Sequence, residues 1–329
     1  MSPATSRNLT IAFFVLLAFG AVSPLLFMGS KLAPWLEVII GGLMSGVLYS
    51  LVALGLVLIF KASGVFNFAQ GAMVLFAALS LVRLMEKMPF ILALAVTIAI
   101  MVALAWLIER LVLRPLVNQE GIVLFMATLG VAYFIDGLGQ TIWGSDIYTL
   151  HVGMPKEPKI LFESTFEGGI LVSMEDVIAA ILAAVMVAAL ALFFQKTSTG
   201  RALRAVADDH QAAQSIGIPL NRIWVIVWSV AGLVALVAGI IWGSKLGVQF
   251  SLQLVALKAL PVVILGGFTS IPGAIIGGLI IGLGEKVSEV YLGPTLGGGI
   301  ENWFAYVLAL IFLLFRPEGL FGERHIDRV

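Results

Sequence analysis

The sequence predicts an all-α, multi-pass membrane protein, a bundle of about eight to ten transmembrane helices. Of its 329 residues, 60% are hydrophobic and only 12% are charged. Soluble domains contain about 45–50% apolar and about 25% charged residues, so this chain has too few polar side chains to coat a water-soluble core. The apolar residues also gather in runs of the length that crosses a lipid bilayer.

A helix needs about 20 apolar residues to cross the hydrocarbon layer. Runs that meet or approach this length are Leu9–Met28, Leu36–Phe60, Val65–Val82, Phe90–Ile108, Ile122–Ile142, Met174–Phe194, Ile223–Gly243 and Trp303–Phe315. A further run, Leu252–Leu283, is too long for one helix, and Gly266, Gly267 and the turn at residues 269–273 interrupt it. Because glycine and proline end helices, we expect two half-length or tilted segments that meet at this break.

Lysine and arginine set the orientation of a membrane protein. An N-terminus in the cytoplasm places most of these residues inside, and it keeps Arg316 inside only if residues 252–283 cross twice. We therefore prefer about ten crossings, with eight or nine if one segment is re-entrant. No cleavage site follows Leu9–Met28, which we interpret as the first transmembrane helix, and a signal-like N-terminus is the open alternative. We predict one membrane domain over residues 1–329.

Two connections are long enough to fold outside the lipid. The segment Trp143–Ser173 falls on the outer side, where we expect an ordered cap over the pathway, and a flexible loop is the open alternative. The segment Gln195–Arg222 falls inside. Its Ser and Thr residues before a run of Ala, Leu and Val predict short capped helices. Small side chains on such a helix allow another protein to pack closely against it, although an ordinary amphipathic loop helix fits the same pattern.

The inner segment resembles the EAA loop of bacterial ABC import permeases, because Gln211-Ala212-Ala213 is followed after three residues by Gly217. The resemblance implies that residues 195–222 form the coupling loop that seats in a groove of an ATPase subunit. It assigns ATPase coupling to Arg201, Arg204, Gln211, Ala212, Ala213 and Gly217. Gln211 stands where the motif has an acid. The resemblance therefore implies packing by shape complementarity at this position rather than a salt bridge.

Further motifs resemble the branched-chain amino acid permease family, the LivH type. They are residues 42–51, residues 65–71, Ile108-Glu109-Arg110 with Arg114-Pro115-Leu116, Leu265-Gly266-Gly267 with residues 270–274, and residues 315–322. The family implies a permease subunit of an ABC importer for branched-chain or related amino acids; urea and short-amide importers use similar permeases. It also implies a second, homologous permease, two ATP-binding subunits that hold the ATP, and an external solute-binding protein. The location that it implies is the inner membrane of a bacterium.

Polar residues inside the spans are candidates for the translocation pathway, because they are costly in lipid and face protein or water. Asn67 and Gln70 share one helix face, and Gly71 next to them allows local unwinding. Their amides suit the carboxylate and ammonium groups of an amino acid, but bonds between helices are the competing interpretation.

The broken segment supplies the other candidates. Lys258 lies at its outer end, where it either holds an anionic group, pairs with an acid or extends to the headgroups. Gly266 and Gly267 end a helix at the break, and exposed backbone at a broken helix is typical of a transport site. A proton relay at Asp136 is less favoured, since no His or Glu partner stands near it in sequence.

Other functions fit the sequence less well. The chain has no Gly-x-x-x-x-Gly-Lys-Ser/Thr loop, so uphill transport needs an ion gradient or a separate ATPase. A stand-alone secondary transporter should show coupling acids and inverted repeats, and neither is clear. A membrane enzyme is the weakest alternative, since the three histidines lie far apart in sequence. No cofactor or metal is expected in the chain, since it has no cysteine and no His-Glu-x-x-His motif. The zero net charge does not favour nucleic acid.

Overall fold

A computed structural model describes residues 3–27, 31–64, 66–116, 119–166, 168–208 and 210–322. Twelve α-helices lie within these residues: α1 (Pro3–Phe27), α2 (Leu32–Ser63), α3 (Gln70–Met85), α4 (Phe90–Ile108), α5 (Gly121–Trp143), α6 (Met174–Lys196), α7 (Ser198–Asp208), α8 (His210–Ser215), α9 (Leu220–Leu246), α10 (Val255–Gly266), α11 (Ile271–Leu296) and α12 (Phe304–Phe315). A two-stranded sheet, β1 (Pro158–Leu161) and β2 (Ile170–Ser173), lies between α5 and α6.

The predicted all-α membrane bundle is confirmed. In the described part of the chain, 7 helices are long and apolar enough to cross a membrane, and the segments Gln70–Met85, Phe250–Gly266 and Phe304–Phe315 are shorter apolar helices. The predicted range of crossings is reached when the shorter helices are included. The chain divides into two compact units, one of residues Met1–Ala53, Met154–Ala184 and Lys258–Val329 and the other of Leu54–Gly153 and Val185–Leu257. The single domain over residues 1–329 stays a prediction.

The helix predicted over Val65–Val82 begins later than expected, at Gln70, and Val65 lies outside the described residues. Gly64, with φ +71°, follows the last residue of α2. The side chain of Asn67 then accepts a hydrogen bond from the backbone N–H of Ala69 at 3.0 Å. Such a side-chain turn competes with helix formation, which explains the later start of α3.

The interrupted segment is broken where the sequence predicts, but its two parts differ in length. A 3₁₀ turn over Phe250–Leu254 leads into α10, which has 12 residues, whereas α11 has 26 residues and is a full-length span. The half-length alternative is therefore wrong for α11, while the predicted break between two segments is confirmed. The charged residues after Leu283 hid the continuation of α11 in the sequence, although Glu285 among them is only 4% exposed.

The first unit is organised around a seam of glycines between α2 and α11. A Cβ atom at Gly46 would lie 2.7 Å from the carbonyl oxygen of Gly278, and one at Gly282 would lie 2.6 Å from that of Gly42. The two backbones therefore touch, as small residues allow between membrane helices. Helices α1 and α12 pack on α11 in the same unit.

The C-terminal end of the described chain closes the break between α10 and α11. The backbone N–H groups of Leu320 and Phe321 donate to the carbonyl oxygens of Leu265 and Gly266, at 2.8 and 3.1 Å. These carbonyls lie at the end of α10, where no intrahelical donor remains for them. Gly267 adopts φ +103°, and a Cβ atom there would lie 2.7 Å from the backbone nitrogen of Gly322. The motif over residues 315–322 thus serves as a backbone cap for a broken helix.

The outer connection is ordered where it is described. Strands β1 and β2 pair antiparallel, with Pro158 opposite Ser173 and Leu161 opposite Ile170. Ile170 and Val172 pack into a small core with Ala33, and Leu36 packs against it. The backbone N–H of Leu171 donates to the Glu37 carboxylate at 2.6 Å. These contacts fix the hairpin to the beginning of α2, whereas its position over a pathway stays a prediction.

In the second unit, α3 is the central helix and is buried along most of its length. It packs against α4, α5, α9 and the 3₁₀ turn that precedes α10. Gly71 allows the closest of these approaches, because a Cβ atom there would clash with the carbonyl oxygen of Gln253. The buried part of α3 includes the amide side chain of Gln70, which is 0% exposed.

Candidate functional site

The predicted coupling loop folds as two short helices, α7 and α8, that follow the end of α6. Thr197 caps α7, since its hydroxyl oxygen accepts a hydrogen bond from the backbone N–H of Gly200 at 3.0 Å. A Cβ atom on Gly200 would lie 2.6 Å from the carbonyl oxygen of Phe193, so this turn requires glycine. The sequence therefore places α7 tightly against the end of α6.

The two arginines of the loop contact the chain itself. The guanidinium of Arg204 donates to the carbonyl oxygen of Phe194, and that of Arg201 donates to the carbonyl oxygen of Lys196 at 3.4 Å. Both carbonyls lie in the last turn of α6, where cationic donors satisfy free carbonyl groups. These contacts identify a positioning role for both arginines. Their predicted part in ATPase coupling stays a prediction.

Helix α8 has one face towards its own unit and one face exposed. Ala213 is 2% exposed, whereas Ala212 and Gly217 are exposed and Ile216 is 74% exposed. Gly217 has φ +85°, and the backbone N–H of Ile218 donates to the carbonyl oxygen of Ala213 at 3.0 Å. This arrangement is a glycine-terminated helix end of the usual kind. The exposed face has the small side chains that close packing against another protein requires.

The backbone of Gln211 lies in α8, but its side chain is outside what the structure describes. Packing of Gln211 against an ATPase subunit by shape complementarity therefore stays a prediction. Among the other predicted coupling residues, the structure brings Ala212, Ala213 and Gly217 together at one end of the loop.

The amides of Asn67 and Gln70 form a buried network in the second unit. Asn67 is 1% exposed, and its amide nitrogen donates to the Gln70 side-chain oxygen at 3.3 Å. The amide nitrogen of Gln70 in turn donates to the carbonyl oxygen of Ala231 in α9, also at 3.3 Å. These contacts support the interpretation of the amides as bonds between helices. Pathway lining by Asn67, Gln70 and Gly71 stays a prediction.

The substitution Gln70→Leu separates these two interpretations. It removes a partner from the Asn67 side chain and from the Ala231 carbonyl, and an unsatisfied buried polar group costs about 1–3 kcal/mol. We expect a lower midpoint of thermal unfolding in detergent, measured by intrinsic fluorescence, and uptake that falls only in proportion to folded protein. A control, Gln140→Leu, changes an exposed glutamine on α5. Normal stability with selective loss of uptake would instead establish pathway lining.

The candidates in the broken segment lie in the first unit, and the structure assigns them different surroundings. Gly266 and Gly267 are buried against the C-terminal cap, and the Gly266 carbonyl is already hydrogen-bonded by Phe321. The prediction of solute binding at these glycines rested on exposed backbone at the break. The Gly266 carbonyl is not exposed in this way, and solute binding at Gly266 and Gly267 stays a prediction. Lys258, half-buried near the start of α10, interacts electrostatically with the carboxylate of Glu285. The three interpretations of Lys258 stay predictions.

Sequence reasoning missed Glu285 and Tyr49. Both are buried, with 4% and 8% exposure, and the Tyr49 hydroxyl donates a hydrogen bond to the Glu285 carboxylate. The signal was present in the sequence as an acid in an apolar and glycine-rich helix. It was overlooked because the predicted segment ended at Leu283, two residues before Glu285, whereas α11 continues to Leu296.

Comparison with known proteins identifies the family of the chain. A family model described as the permease component of the branched-chain amino acid transport system matches residues 12–316. The chain belongs to this permease family. Three relatives illustrate the likeness. The permease is 28% identical to the high-affinity branched-chain amino acid transport permease protein BraD of Pseudomonas aeruginosa, over 90% of this chain and 98% of that protein. It is 28% identical to LivH of Escherichia coli, over 92% of this chain and 100% of that protein. It is 30% identical to the probable LivH of Methanocaldococcus jannaschii, over 86% of this chain and 91% of that protein.

Proposed function

We propose that the chain is a permease subunit of an ABC importer and forms half of a membrane pathway for branched-chain or related amino acids. Family membership supports the transport role, and the relatives named above are branched-chain amino acid permeases. The observation that carries the proposal is the exposed end of α8, where Ala212 is exposed on the helix and the exposed Ile216 and Gly217 follow its last residue. Helix α8 packs on α7, which follows the end of α6. Residues 195–222 are the proposed coupling loop within one permease domain.

The proposed mechanism assigns the energy source to partner subunits. Two ATP-binding subunits hold the ATP, and each seats the coupling helix of one permease. Closure of the ATPase pair pulls on α8, and the tight turn at Thr197 and Gly200 transmits this movement to α6. A second, homologous permease completes the pathway, and a solute-binding protein delivers the solute from outside. The proposed location is the inner membrane of a bacterium, and the chain itself is proposed to catalyse no reaction and to bind no cofactor.

Affinity purification of the tagged chain in a mild detergent tests the partners. We expect a Walker-motif ATPase and a second hydrophobic chain to co-purify and to be identified by mass spectrometry. Purification of this chain alone, together with uptake that needs no ATP after reconstitution, would favour a stand-alone secondary transporter.

A further inference from the structure

The first unit contains a cavity between α1, α11 and α12 that the transport mechanism above does not use. Its volume is about 560 Å³, within the range of about 300–1,000 Å³ that small-molecule pockets have. Helices α1 and α11 are membrane spans and α12 is a shorter apolar helix, so the cavity lies at membrane depth. Leu16 in its lining is 69% exposed, so the cavity opens to the surroundings of the helices, which are lipid rather than water.

Helix α1 contacts its neighbours near the two ends of this cavity. Towards the beginning of α1, the ring of Phe13 packs against the rings of Phe312 and Phe315, with centroids 5.0 and 5.8 Å apart. Towards its end, the indole N–H of Trp35 in α2 donates to the Ala21 carbonyl oxygen at 2.8 Å. These contacts fix the gap between them. Protein interiors contain few voids larger than a water molecule, so a gap of this size is expected to hold a molecule of the surrounding solvent.

The lining of the cavity suits hydrocarbon. Among the described residues that form it, none is charged, and the polar ones are Ser23, Ser288 and Tyr291. The Ser23 hydroxyl already donates to the carbonyl oxygen of Gly20 at 3.1 Å. An amino acid would lose the hydration of two charges in this cavity and would gain an oppositely charged partner for neither. The cavity is therefore unsuited to an amino acid, whereas an alkyl chain has no polar group to desolvate.

The length of the cavity matches one leaflet of a bilayer. Its lining on α1 extends from Phe13 to Pro24, which is about 16 Å at about 1.5 Å per residue. Half of a hydrocarbon core of about 30 Å is about 15 Å. Tyr291 lines one end of the cavity, and Trp303, which is 46% exposed, directly precedes α12 at the same end. Tyrosine and tryptophan favour the level of the lipid headgroups, so this end lies where an acyl chain joins its headgroup.

We propose that the cavity binds one acyl chain of a phospholipid along its length. The chain supplies the apolar contacts that α1 lacks with α11 and α12 between its two ends, and it thereby joins α1 to the rest of the first unit. Gly20 leaves room for the chain, because no atom lies within 4 Å of a Cβ atom there apart from the adjoining backbone of α1 itself. This inference does not depend on the proposed function.

The test fills the cavity with a side chain. The full-length Gly20→Phe variant is extracted from membranes in a mild detergent, and the phospholipid that each chain retains is counted by native mass spectrometry. The matched control is Gly130→Phe, which adds the same side chain at an exposed glycine of α5 that also has open space around its Cβ position. Gly130 lies in the second unit and outside the lining of the cavity.

We expect the unmodified chain and the Gly130→Phe variant to retain phospholipid, and the Gly20→Phe variant to retain at least about tenfold less, as a weakened binding equilibrium requires. Equal retention by the two variants overturns the proposal, and so does an unmodified chain that retains none. A second hydrophobic chain that the Gly20→Phe substitution displaces, with the lipid unchanged, also overturns it, because a protein then occupies the cavity.

A second measurement needs no variant and decides the result if the Gly20→Phe variant does not fold. The unmodified chain is reconstituted with a phospholipid that carries a diazirine on one acyl chain, extracted again, washed and illuminated. We expect the label on the lining of the cavity, for example at Leu17 of α1 and Leu308 of α12. Equal labelling of Ile122 and Ile181, which are exposed on α5 and α6, contradicts a bound chain in the cavity.

Discussion

The substitution Ala212→Trp is expected to leave membrane insertion intact and to reduce ATP-driven uptake at least about tenfold. Ala212 is exposed on α8 next to the exposed Ile216, whereas Ala213 beside it is 2% exposed and faces its own unit. A tryptophan at this position is too large for α8 to seat closely in a groove of the ATPase subunit. An overpacked contact typically costs about 1–3 kcal/mol. ATP hydrolysis and uptake are measured on the same proteoliposome preparation, together with the yield of assembled complex.

The matched control is Leu192→Trp, which enlarges a side chain of α6 that is 57% exposed. Both variants add an indole to an exposed helix position of the same unit. We expect Leu192→Trp to retain uptake close to that of the unmodified protein. Full uptake by the Ala212→Trp variant would show that α8 does not dock with an ATPase.

The substitution Gly282→Ala is expected to destabilise the first unit strongly. Its Cβ atom would lie 2.5 Å from the Cα atom of Gly46 and 2.6 Å from the carbonyl oxygen of Gly42. Both are backbone atoms, so no change of side-chain rotamer relieves the clash, and α2 and α11 must move apart. We expect a cost of about 3 kcal/mol, at the upper end of the usual range for overpacking. The midpoint of thermal unfolding, followed by intrinsic fluorescence in detergent, should fall by at least about 5 °C.

Gly130→Ala provides the control for this prediction. Apart from the adjoining backbone of α5 itself, no atom lies within 4 Å of a Cβ atom at Gly130, so the methyl group meets open space. Alanine also favours a helix over glycine by about 1 kcal/mol. This variant should unfold at the same temperature as the unmodified protein or slightly above it. Equal midpoints for the Gly282→Ala variant and the unmodified protein would contradict the close packing of α2 and α11.

The spans were predictable because lipid imposes a simple rule on length and polarity. Helix α4 has the predicted bounds Phe90–Ile108, and α5 differs from the predicted Ile122–Ile142 by one residue at each end. The start of α3 was missed because the turn at Asn67 depends on a single side-chain hydrogen bond. The length of an apolar run does not reveal a side-chain hydrogen bond that competes with helix formation at its first residues.

The candidate site was less predictable, because it depends on contacts between distant residues. The bond from Gln70 to Ala231 and the bonds from Leu320 and Phe321 to the end of α10 join segments far apart in sequence. The sequence indicated which residues were polar or small, but not which partners satisfied them. By contrast, the loop with Ala213 and Gly217 was predictable, since its two short helices and their glycine end follow from local residue preferences.

ATP-driven uptake by the reconstituted importer tests the central claim most directly. Proteoliposomes that contain this permease, its co-purified partners and the loaded binding protein are supplied with ATP on the side of the coupling loop, and accumulated L-leucine is counted. The account predicts uptake that depends on ATP and stops when the Walker lysine of the ATPase is replaced. Leucine uptake that continues without ATP, or that follows only an ion gradient, would contradict it.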